Sequence, residues 1–137
     1  MDAKEFLSQY ERAYWLVKQL QIEYKLETEK ADAIRSALGS DGQPRAGVIS
    51  KTVEERAIRM AEKASELKEA ELDAGEIMQE VARVINKVPN EHGSVLYHRY
   101  VLLEGWQHIA DEVGYSLRHV YNIHNQALDM VYDIINK

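Results

Sequence analysis

A chain of 137 residues has room for one domain, or for a small head with an extension, and its 45% hydrophobic and 29% charged residues describe a folded protein rather than a disordered tail. The absence of cysteine excludes disulfides, thiol nucleophiles and thiolate metal sites. The formal net charge of −6 is spread along the chain, and residues 88–137 hold three Lys or Arg against six Asp or Glu, so no segment carries the broad basic patch usual in nucleic-acid binders.

Seven Gly and two Pro are few, and Ala, Glu, Leu and Lys are common, which favours helix. No apolar run approaches the ~20 residues of a membrane span. The N-terminal "MDAKEFLSQYERAYW" is too charged for a secretory signal, so a cytoplasmic protein with no membrane partner is expected.

In chain order, residues 2–38 read as one long helix. Phe6, Tyr10, Ala13, Val17, Leu20, Tyr24, Ala31, Ile34 and Leu38 recur in alternating steps of three and four, with Glu27 filling the one polar slot. That is a heptad seam. Asp2, with Glu5 three residues on, is a start signal. "GSDGQPRAGVIS" (Gly39 to Ser50) reads as a loop. "TVEE" then offers a capping box, Thr52 as N-cap and Glu55 behind it. A second seam follows through Val53, Ala57, Met60, Ala64, Leu67, Ala74, Met78, Val81, Ile85 and Val88, with Glu71 in the gap. Two seams of similar length joined by one loop predict an antiparallel coiled-coil hairpin over residues 1–88.

Tyr14, Trp15, Ile22 and Leu26 lie off the first seam, and Ile58, Leu72 and Ile77 lie off the second. More apolar surface than one seam can bury predicts a homo-oligomer held by the hairpin arms.

"KVPNEHG" marks the boundary to a head, residues 89–137. Pro89 stops the second arm and Asn90 is placed to cap a helix over 91–103. Gly105 precedes a helix from Trp106 to Val113. Gly114 and Tyr115 turn the chain, and Ser116 caps a last helix to about Asn136. The fold class expected is all-α: a long two-helix hairpin followed by a three-helix head.

Within the head, Ala110 is small enough for a close helix crossing. Gly114 supplies a left-handed turn, and Ile109, Val113, Val120 and Ile123 flank the crossing. These are the requirements of a helix-turn-helix. "IADEVGYSLRHVYNIHNQALDMV" resembles the region-4 helix-turn-helix of bacterial sigma factors. It is closer still to small phage-encoded regulators with a sigma-region-4-like head, of the autolysin-regulator type. The matching residues are Arg99-Tyr100, Trp106, Ile109-Ala110, Gly114, Ser116, Arg118, Val120, His124 and Ala127-Leu128, with the "DGQPRAG" loop as a looser likeness. The resemblance covers residues 95–131 closely. It implies a phage-derived transcriptional regulator that binds double-stranded DNA and works near RNA polymerase. It departs where sigma region 4 carries several Arg: here the matching positions are Leu117, His119 and Tyr121, and Arg118 alone is basic.

The expected DNA-facing residues are Ser116, Leu117, Arg118, His119, Tyr121, Asn122 and Asn125, with Gln126 on the same outer face. Arg118 suits guanine, and Asn122 and Asn125 suit adenine. Tyr121 suits a phosphate, a thymine methyl or a packing role. All five His follow Pro89, with His108 and His119 the candidates for phosphate. No zinc-ligand spacing, catalytic constellation or phosphate-binding Gly loop is present, so neither metal, cofactor nor enzymatic activity is expected. The alternatives to DNA reading are a module that docks on RNA polymerase or another protein, and a phage DNA-packaging adaptor.

Overall fold

The computed structural model describes the backbone of residues 1–41 and 46–137, and the side chains of residues 1–37 and 51–137. Among the described residues the protein is all helical. In chain order the helices are α1 (Ala3–Leu7), α2 (Gln9–Asp41), α3 (Ala46–Ile85), α4 (Asn90–Tyr100), α5 (Trp106–Val113) and α6 (Leu117–Ile135). No described helix is long and apolar enough to cross a membrane.

Several expected boundaries are corrected. The first helix is interrupted at Ser8, whose dihedrals stay right-handed while its amide bonds back to Lys4. Asp2 does cap α1, accepting from the Lys4 amide at 2.8 Å. The expected loop from Gly39 to Ser50 is mostly helical backbone: α2 runs on to Asp41 and α3 begins at Ala46. The remainder of that loop, residues 42–45, lies outside the described residues. Thr52 is therefore an interior residue of α3, not its N-cap. Asn90 is not a cap either. It is the first residue of α4, at a left-handed φ of 56°, and Pro89 stands in the capping position without a side-chain bond.

The chain divides into two compact units, Trp15–Leu72 and Met1–Tyr14 with Asp73–Lys137. This differs from a division at residue 88.

In the unit Trp15–Leu72, α2 and α3 form an antiparallel hairpin. On α2 the expected seam is the one observed: Val17, Leu20, Tyr24, Ala31 and Ile34 are buried or half-buried. Glu27, the polar slot, pairs with Arg56 at 3.2 Å, and Glu23 pairs with Lys63 at 3.0 Å. On α3 the seam is rotated from expectation. Arg56, Met60, Lys63, Leu67 and Ala70 face inwards, whereas Val53, Ala57, Ala64 and Glu71 are exposed. The two basic residues lay their alkyl stems along the seam and their charges on glutamates of α2. Apolar periodicity cannot register such positions.

The other unit holds the larger core. Phe6 and Leu7 of α1, Val81, Val84 and Ile85 of α3, and Val88 bury against Leu96 and Tyr100 of α4 and Ala127 and Val131 of α6. These apolar contacts join the arm ends to the head. Gly93 lets α4 approach the preceding turn, because a Cβ there would stand 2.3 Å from the Val88 carbonyl oxygen.

Candidate nucleic-acid interface

A second cluster fixes α5 against α6. Val95, Ile109, Ala110, Val120 and Ile123 are each at most 2% exposed, with Trp106 and Val113 packed at the edge. Ala110 carries only a methyl group into this crossing, so the backbones approach closely. Its carbonyl accepts from both the Gly114 and Tyr115 amides, at 3.0 and 3.1 Å. That pairing requires a left-handed residue, which Gly114 supplies at φ 75°. Ser116 then turns the chain in extended geometry and caps α6, its hydroxyl oxygen accepting from the His119 amide at 3.2 Å.

The inner face of α6 is Val120, Ile123, His124, Ala127 and Val131, all buried, with Leu128 half-buried. The expected outer face is exposed: Ser116, Arg118, His119, Tyr121, Asn122, Asn125 and Gln126. Leu117 is half-buried.

The exposed residues are not equivalent. Neither Arg118 nor Asn122, one turn apart, makes a side-chain hydrogen bond among the described residues. Tyr121 sets its ring edge-on to Trp106 at 5.2 Å, which makes it part of the packing around α5. His119 stands edge-on to Tyr115 at 4.6 Å, and the Tyr115 hydroxyl donates to Glu91. Asn125 adjoins His124 and favours its protonated form. Gln126 meets His92 at 2.8 Å.

Behind this face lies a buried polar group that sequence reasoning left among the five histidines. His124 Nε2 is 2.6 Å from the Tyr100 hydroxyl, and its ring meets Trp106 edge-on at 4.7 Å. Burial pushes the imidazole down to about 4, against Asn125, which works the other way; Lys4 and Arg99 add to the depression. Burial likewise pushes the Tyr100 hydroxyl up to about 12. Both groups are neutral at pH 7. Arg99 lies over the Trp106 ring at 4.6 Å and donates to the Glu104 carbonyl at 3.0 Å. In the sequence, Arg99-Tyr100, Trp106 and His124 stood out only as positions of the family resemblance, with nothing to pair them.

His108 has its Nε2 3.6 Å from Glu104 and 3.4 Å from Glu112. Two carboxylates beside it make a poor environment for phosphate. His98 meets Glu104 at 2.8 Å.

No protein-family model, curated protein or solved structure matches this chain.

Proposed function

We propose that α5, the turn and α6 act as a helix-turn-helix of the sigma-region-4 kind. The chain is then a sequence-specific DNA-binding transcriptional regulator. One observation carries this reading: a buried Ala110 crossing, a left-handed Gly114 and a Ser116 cap together project Arg118 and Asn122 from the first turns of α6. In the major groove, base edges come within reach of those turns. Arg118 would take guanine and Asn122 adenine, through paired hydrogen bonds. Ser116 and His119 would lie nearest the phosphates, where the helix N-terminus favours an anion. Leu117 would offer an apolar contact to a thymine methyl. Tyr121, tied to Trp106, would position α5 and α6 rather than read bases. Selection of the full-length protein against random duplexes tests this: enrichment of one motif is expected, and a flat outcome removes the reading.

The second reading is a protein-docking module, for RNA polymerase or another partner with a basic surface. The observation favouring it is electrostatic. Three Lys or Arg stand against six Asp or Glu in residues 88–137, and Glu104 and Glu112 flank His108. Such a surface suits a basic partner better than a phosphate backbone.

A further inference from the structure

In the unit Trp15–Leu72 each arm of the hairpin bears a second apolar stripe on the side away from its partner. On α2, Trp15, Ile22 and Leu26 are 60%, 61% and 49% exposed. Each lies two residues from members of the buried seam, Val17, Leu20 and Tyr24, and therefore about 200° around the helix from them. On α3, Ile58 and Leu72 are 58% and 61% exposed. They stand in the same relation to Arg56 and Met60 and to Ala70. Between them, exposed Ala61 and Ser65 continue the stripe with small side chains.

The two stripes match in level. The pairs Glu23–Lys63 and Glu27–Arg56 fix the antiparallel register of the hairpin. In that register Leu26 is level with the turn from Ile58 to Met60, and Trp15 with the turn that precedes Leu72. The stripes also differ in charge. Along 15–30 the exposed charges are Lys18, Lys25 and Lys30 against Glu29. Along 54–72 they are Glu54, Glu55, Glu62, Glu66, Glu69 and Glu71 against Arg59 and Lys68.

We propose that a second copy of this chain covers these stripes, the outer face of α2 in one copy packing on the outer face of α3 in the next. Sideways displacement without axial shift brings the stripes together, antiparallel as within the hairpin. Two α2 faces would oppose net positive charge, and two α3 faces net negative charge, so like-on-like pairing is disfavoured. The contact is heterologous, with different patches on the two copies. Every protomer in the interior of the assembly therefore uses both stripes, and the assembly either closes as a ring or runs on.

Two variants of the full chain test this, Ile22→Gln/Leu26→Gln and Ile58→Gln/Leu72→Gln. All four sites are exposed, and Gln is a good helix former. Sedimentation equilibrium of the parent should give a mass above the 15.8 kDa of one chain. Each variant alone should be monomeric, because it has one working face and no matching partner. An equal mixture should form a 1:1 pair and nothing larger, since one intact α2 face meets one intact α3 face. Recovery in the mixture also shows that both variants are folded. A monomeric parent overturns the proposal. So does one variant associating like the parent while the other does not, which marks a symmetric contact through one stripe, and so does a mixture that stays monomeric.

Discussion

One substitution, Gly to Ala, should act in three different ways at three glycines, and the structure assigns the sign of each. At Gly114 an added Cβ meets no atom within 4 Å, so sterics contribute nothing. The cost is conformational alone: φ is 75°, where an L-residue with a Cβ loses about 1–2 kcal/mol. In a chain of this size that lowers the melting temperature by roughly 4–8 °C. Gly114→Asn should recover part of the loss, because Asn tolerates the left-handed region. At Gly75, inside α3, the Cβ again meets nothing, and the backbone is helical. Ala there should stabilise by about 0.5–1 kcal/mol. At Gly93 the Cβ would lie 2.3 Å from the Val88 carbonyl oxygen, a backbone atom that cannot swing aside. The helix must shift, at about 3 kcal/mol or more. Thermal and urea unfolding followed by circular dichroism would rank the variants Gly75→Ala, parent, Gly114→Ala, Gly93→Ala from most to least stable. A Gly114→Ala protein as stable as the parent, or a Gly114→Asn protein no better than Gly114→Ala, would refute the left-handed turn and with it the crossing of α5 and α6.

Ser116→Ala removes the acceptor for the His119 amide and should cost about 1 kcal/mol, read as a lowered urea midpoint with unchanged slope. Stability should fall as pH drops from about 6.5 to about 4. The unfolded His124 ring takes a proton near 6.5, whereas the folded ring resists until about 4. The loss should be on the order of 2 kcal/mol once solvent screening is allowed for, and His124→Gln should flatten that part of the profile; an equally steep profile in the variant would refute the assignment. Replacing Glu27 alone by Leu leaves Arg56 half-buried without its partner and should destabilise, while Glu27→Leu with Arg56→Leu should be neutral or better. A double-mutant cycle in urea unfolding checks that, and additive losses would contradict it.

What the sequence disclosed follows from which forces leave a pattern in residue type. The α2 seam was legible because it is apolar at nearly every turn, and its one polar slot, Glu27, turned out to be an ion pair across the hairpin. The α3 seam was misread by a fraction of a turn because Arg56 and Lys63 occupy it, and hydrophobic periodicity skips half-buried cations. Within the head the turn between α5 and α6 was legible, since Gly114 and Ser116 each answer a local geometric demand, a left-handed residue and an N-cap. Thr52 misled because a capping box is a permissive signal: the helix begins at Ala46 and runs through it. The Tyr100–His124 pair was invisible because it joins residues 24 apart, through a contact that only the packing of α4 on α6 creates.

The most direct test of the proposed function is the binding of Arg118→Ala and Asn122→Ala, alongside His119→Ala, to a duplex obtained by selection and to random duplex, at two salt concentrations. Direct reading predicts that each of the first two loses about 1–3 kcal/mol for the selected duplex and little for random DNA. It predicts that His119→Ala weakens both alike, with a slightly shallower salt dependence. If Arg118→Ala and Asn122→Ala stay folded and bind the selected duplex as the parent does, α6 does not read DNA, and the docking module takes its place.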